Sequence, residues 1–226
     1  MNPVNFVDPW GKAAWEVLKK WDETYVALYR AYVNARSSLY VSSGTRSTCE
    51  DFALSILIDF ACENNLPLNI VNNSGEFNPT SDEFTSKNEY LIRVAETTAA
   101  SDLVNNTRSI AKIQNGNVQL LDHAQRGDII LLSNSGGVHH TQLITKTDSK
   151  SVSIHQGNFR HDVLRIIAGS DPDSIRPYIG QHIQNGFYFK KSGNFSRGGT
   201  VMSSLFEAEK ASIRIWRFYD WNESKK

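Results

Sequence analysis

The chain changes texture once, near Ser109, and that change limits what it can fold into. Before it, apolar residues recur at helical spacing; after it, short β-branched runs alternate with turn residues. Helices first and strands afterwards predict an α+β domain, with N-terminal helices packed on one side of an antiparallel sheet. At 226 residues and 40% hydrophobic content the chain can bury one real core. Lys plus Arg number 24, as do Asp plus Glu, so the formal charge is zero. Without a long basic run, the electrostatic footprint of a nucleic-acid binder is missing. No apolar run approaches the ~18 residues of a membrane helix, and the N-terminus has no basic-then-apolar leader. The expectation is a soluble chain with no membrane span, which, if exported, travels by another route.

Trp15, Leu18, Trp21, Tyr25, Leu28, Tyr29 and Tyr32 recur at helical spacing and predict a long amphipathic helix over 13–35. A polar loop over 37–47 leads into a second helix that runs from Cys49 to about Asn65, ended by Asn64-Asn65 and Pro67. Residues 72–88 read as a surface excursion, and a further helix is expected over 86–100. Strands are expected at 110–113, 128–132, 139–145, 151–155, 163–167, 186–190 and 212–219, with a helix over 203–210 before the last. Asn115-Gly116 and Ser135-Gly136-Gly137 supply turn residues between antiparallel strands, and Asp171-Pro172-Asp173 reads as another turn.

Cys49 stands at the start of the second helix rather than inside it. Ser47 with Glu50, or Thr48 with Asp51, can form a capping box, and either choice puts Cys49 in the first turn. The unpaired N–H groups and the dipole there favour a negative sulfur, the condition for a thiolate nucleophile. Cys62 lies on the same helix, roughly 19 Å away, too far for a disulfide, and reads as core.

A cysteine nucleophile needs a base, and the base needs an orienting partner. Gly127-Asp128-Ile129-Ile130-Leu131-Leu132 reads as one strand, and His139-His140-Thr141-Gln142-Leu143-Ile144-Thr145 as the next. Alternation puts His140, Gln142 and Ile144 on one face and His139, Thr141 and Leu143 on the other, so only one histidine can face the Cys49 helix. The following strand, from Ser151, ends in His155, Gln156 and Asn158, each chemically able to hold the imidazole. His123, His161 and His182 have no partner pattern. A metal site from His139, His140, His155 and His161 is disfavoured because no Cys or carboxylate cluster accompanies them. No cofactor or metal is expected.

A helix-tip cysteine, then Gly-Asp-hydrophobic-hydrophobic, then His at a strand start, then a polar residue closing the next strand resembles the papain-like amidopeptidases of the NlpC/P60 and CHAP superfamily. The resemblance covers residues 40–160. Tyr40, Gly44 and Cys49 are similar to that family's aromatic-plus-glycine approach to its nucleophile, and Leu66-Pro67-Leu68 to the segment after its helix. It implies Cys49 as nucleophile, His140 as base, His155 as orienter and Tyr40 as a substrate contact. Thr48-Cys49-Glu50-Asp51 departs from the family's Asp-Cys-Ser-Gly by setting acids beside the nucleophile.

Residues 2–11, Asn-Pro-Val-Asn-Phe-Val-Asp-Pro-Trp-Gly, resemble the end of the Rhs-repeat core of bacterial polymorphic toxins, with Lys12 where Leu is usual. This implies a division into 1–12, the end of that shell and its cleavage junction, and 13–226, a single papain-like toxin domain. The function implied is that of a secreted antibacterial effector, of the kind type VI secretion delivers, cleaving peptidoglycan stem-peptide amides in the target-cell periplasm. Its partners would be the wall substrate, the Rhs shell and a cognate immunity protein. The alternatives are a protease, deamidase or transglutaminase-like toxin acting on a protein in the recipient cytoplasm, and a non-catalytic binding module on a hydrolase scaffold.

Overall fold

The computed structural model describes residues 13–112, 118–134, 137–157, 181–202 and 210–223. The 1–12 junction, Asn158, His161, the expected strand at 163–167, the 171–173 turn and all but the last residue of the expected 203–210 helix lie outside the described residues. Lys210 itself already belongs to a strand.

The first helix, α1 (Glu23–Ser42), starts later than the aromatic spacing predicts, because the Asp22 side chain accepts the Tyr25 N–H at 2.9 Å and sets the N-cap there. Residues 13–22 instead form an irregular arm. Leu18 and Lys19 donate their backbone N–H groups to the Asn65 carbonyl, and the buried indoles of Trp15 and Trp21 donate to the Leu66 and Pro67 carbonyls at 3.0 and 2.7 Å. The tryptophans are core, as their spacing implied, but they arrive on a strap rather than on a helix. Burial of an indole requires a partner for its N–H, and the turn after the next helix supplies both.

That helix, α2 (Cys49–Glu63), is apolar nearly all round, with Leu54, Ile56, Leu57 and Ile58 fully buried, as befits a central helix. Asn65, at φ 56°, ends its run. The one carboxylate in its interior, Asp59, is 3% exposed and held by Arg36 of α1 at 2.9 Å, by Lys87 at 2.7 Å and by the Tyr40 hydroxyl at 3.1 Å. Lys87 opens α3 (Lys87–Thr97), so this cluster ties three helices together.

After a short pair β1 (Arg46–Ser47) and the hairpin β2 (Ile70–Asn72) and β3 (Gly75–Phe77), which the polar 72–88 composition concealed, the chain builds its main sheet. Its strands are β4 (Thr107–Lys112), β5 (Ile129–Asn134), β6 (Gly137–Thr147), β7 (Ser151–Gln156), β9 (Gln184–Phe189), β10 (Phe195–Arg197), β11 (Thr200–Met202) and β12 (Lys210–Trp216). β8 (Gln181–His182) pairs with β1. The order is β11-β10-β9-β7-β6-β5-β12-β4, with every pairing antiparallel. The last strand thus enters between β5 and β4 and joins β4 to the rest of the sheet. One face carries Ile129, Leu131 and Leu143 into the cluster that contains α2; the other carries Ile130, Leu132, Ile144, Val152, Ile154 and Tyr188. The α+β class is therefore as the sequence texture predicts. Among the described residues no helix is long and apolar enough to cross a membrane.

Candidate functional site

Thr48, with φ −72° and ψ 173°, caps α2 by accepting the Asp51 N–H at 3.3 Å, which makes Cys49 the first helical residue. Of the two capping choices left open by the sequence, this one leaves the Glu50 side chain uncommitted to the backbone. Glu50 turns instead to its neighbour: the Cys49 thiol donates to Glu50 Oε2 at 2.9 Å.

The helix tip is pressed against the sheet where β7 ends. A Cβ on Gly157 would overlap the Thr48 carbonyl oxygen, so only glycine lets the two backbones meet. This close approach delivers Cys49 to β6, where the backbone N–H groups of Thr141 and Glu50 lie near enough to Sγ to lower its pKa. The Thr141 hydroxyl beside it is wholly buried and has no hydrogen-bond partner.

Two influences therefore compete at the sulfur. Burial first, then the charge and hydrogen bond of Glu50, push the thiol pKa well above its ordinary value, while the two backbone N–H groups pull it down. The upward push wins. The ionised sulfur expected from the helix dipole alone is not the state of this conformation: at 7% exposure and against a carboxylate, Cys49 is a protonated thiol. Asp51, one residue on, is likewise pushed up to about 7, mainly by burial.

Register decides which side chains share a face. Leu132 stands opposite His140, and Leu131 opposite Thr141, so His140 lies on the Leu132 face and Thr141 on the α2 face. The strict alternation expected for 139–145 fails at its start, because a bulge between Leu132 and Ser133 gives β6 one extra residue there: Val138 faces Ser133, His140 faces Leu132, and His139 falls between. His139 is exposed and lines, with Thr48, Cys49, Glu50, Ala99, Ala100, Ser101 and Val138, an open cleft of about 220 Å³. Ala100 and Ser101 come from a short 3₁₀ turn, Ala100–Val104; the third helix, expected to reach 100, ends at Thr97.

His140 is half-buried, and its Nε2 lies 2.8 Å from Gln156 Oε1. Gln142 Nε2 donates to the same oxygen at 2.8 Å, and the Tyr188 hydroxyl donates to Gln142 Oε1 at 2.7 Å. Because that amide oxygen only accepts, Nε2 carries the ring proton and Nδ1 is the basic nitrogen of the neutral ring.

His155 goes elsewhere. It stands opposite Leu143, on the α2 face, with its ring bonded to the Ser37 carbonyl, Nδ1 buried without a partner, and its pKa lowered mainly by burial. The structure therefore pairs His140 with Gln156 rather than His155. The two-residue period shows why: His140 and Gln156 occupy the same face of adjacent strands, and His155 the opposite one. Tyr40 does not line the cleft; its hydroxyl is spent on Asp59 and its ring on Phe52 and Arg36, so the expected substrate contact is a packing residue instead. Cys62 is half-buried and its thiol is pushed up to about 11, mainly by burial. Among the described residues, no three His, Cys, Asp or Glu side chains gather as metal ligands would. Glu50 is the group that sequence reasoning undervalued; its adjacency to Cys49 was the available signal.

Comparison with protein-family models, with curated proteins and with solved structures finds no match to this chain.

Proposed function

We propose that this chain is a cysteine amidohydrolase of papain-like type, with Cys49 as nucleophile, His140 as base and Gln156 as the residue that orients the imidazole. One observation carries the reading: a helix-tip sulfur meets the backbone N–H groups of Glu50 and of Thr141, and Thr141 directly follows His140, which is bonded to Gln156. Donors so arranged stabilise negative charge on sulfur during attack and on the oxyanion that follows.

The chemistry requires the thiol proton to pass to His140 Nδ1 as sulfur bonds to the amide carbon. The imidazolium then gives that proton to the leaving amine as the C–N bond breaks. Water, deprotonated by the same ring, hydrolyses the thioester and regenerates the thiol. Glu50 must first release the thiol, so the conformation described is a resting one.

The resemblance of residues 2–11 to an Rhs-core terminus supports the wider reading: an antibacterial effector domain acting on peptidoglycan stem-peptide amides. Directed expression tests it. Lysis, with new free amines in digested sacculi, only when the domain is sent to the periplasm is the expected result. Toxicity confined to the cytoplasm would move the target to a cytoplasmic protein. A Cys49→Ala domain as toxic as the wild type would leave only the non-catalytic binding module.

A further inference from the structure

Resting on the assignment of Cys49 as nucleophile, we propose that Glu50 is the specificity residue of the cleft: its carboxylate receives an ammonium group carried by the amide substrate next to the scissile carbonyl, and in doing so lets go of the Cys49 thiol.

The geometry argues for this ligand chemistry. Glu50 is the one carboxylate among the residues that line the cleft, and no Lys or Arg is among them. The facing wall, Ala99, Ala100 and Ser101, is small and uncharged, so it selects little and leaves the carboxylate to dominate what can enter. The Oε2–Sγ separation of 2.9 Å fixes where a cation on Glu50 must sit: an ammonium at ordinary hydrogen-bond distance from Oε2 lies within about 6 Å of the sulfur. An α-ammonium on the acyl side of the bond meets that limit. A lysine Nζ on the same residue meets it only with the stem folded back, at a cost in rotamer entropy.

The same contact explains how the thiol is held inactive and how it is released. Glu50 is the acceptor of the thiol proton and the nearest negative charge. An ammonium docking there takes over the carboxylate and cancels its charge, while the Thr141 and Glu50 N–H groups remain to stabilise sulfur as it ionises. Wrong substrates, lacking the cation, meet a protonated thiol. A carboxylate beside a nucleophile, which opposes ionisation in the empty cleft, thus becomes a gate that the right substrate opens.

The test uses the Cys62→Ala chain, so that Cys49 is the sole thiol, and two affinity labels: alanyl chloromethyl ketone with a free α-amine, and its N-acetyl form. Sulfur displaces chloride from either, forming an S–C bond, and intact mass counts the adducts. Each rate is divided by that with free N-acetylcysteine. The expected result at pH 7 is labelling about 10-fold faster by the cationic reagent. In Glu50→Gln this preference collapses towards unity, and the acetylated reagent reacts faster than it does with the parent. No cationic preference in the parent chain, or an equal one in Glu50→Gln of unchanged melting temperature, overturns the proposal alone. No labelling of Cys49 by either reagent overturns the nucleophile assignment and the proposal with it.

Discussion

His140 Nε2 and Gln156 Oε1 meet at 2.8 Å across β6 and β7, and the bond fixes which nitrogen of the ring is basic. Gln142 and Tyr188 hold the amide in turn, so the imidazole is oriented by a chain of three side chains rather than one. If His140 is the base, His140→Ala lowers the rate of amide cleavage by about 10²–10⁴-fold. Gln156→Leu gives a smaller loss and shifts the acidic limb of the pH–rate profile. His139→Ala keeps most of the maximal rate, since the ring that Gln156 orients is that of His140. Steady-state kinetics of the three variants decides the assignment, and a reversed ranking hands the base role to His139.

The meeting of Gly157 with Thr48 positions the nucleophile and leaves no room for a methyl group. Gly157→Ala must push the α2 tip off the sheet, separating Sγ from the Thr141 N–H. Overpacking of this kind costs about 1–3 kcal/mol. Denaturant unfolding and activity of the same variant are expected to fall together, and a variant that loses neither would show that the close approach is dispensable.

Asp59 is the electrostatic clasp of the helical layer. Arg36 and Lys87 hold its pKa below the usual carboxylate value, against a desolvation that raises it, so its contribution is present above pH 3.8 and is lost as pH falls through the lower folded value. Asp59→Ala strands two cations at the α1–α2–α3 junction, and removing one partner of a buried pair costs about 3 kcal/mol. Urea unfolding at pH 7 measures it. The deficit is expected to shrink when the same comparison is made at pH 3.

Much of this arrangement is legible in the sequence, for identifiable reasons. Thr48, Cys49 and Asp51 mark a helix start because capping is local chemistry between residues three apart, and the capped start is where α2 begins. His140 and Gln156 share a face because a strand repeats every two residues. The arm at 13–22 was misread because Trp15, Leu18 and Trp21 satisfy a helical period while their indoles are bound to carbonyls at Leu66 and Pro67, contacts no local pattern contains. The bulge at His139 depends on how β5 is paired, and Tyr40 was assigned to substrate because its partner, Asp59, lies on another helix. Glu50 was visible as an acid beside the nucleophile. Its hold on the thiol required a rotamer.

Asp128 gives a pH dependence of opposite sign to that of Asp59. Burial raises its pKa from 3.8 to about 7, with the Gln125 N–H and Arg30 opposing. A folded value above the unfolded one means that its stabilisation is complete below pH 3.8 and is lost as pH rises through about 7. Asp128→Asn keeps the acceptor for Gln125 and removes the ionisation. Its melting temperature is expected to exceed the parent's by more at pH 8 than at pH 5; a gap that narrows with rising pH would reverse the sign.

The most direct measurement is the release of free amines from purified peptidoglycan by the wild-type domain, by Cys49→Ala and by Cys62→Ala, each first shown to have the same circular dichroism melt. The account predicts release by the wild type and by Cys62→Ala, and none by Cys49→Ala. Equal release by Cys49→Ala would contradict it, because no other residue in this arrangement could form the thioester.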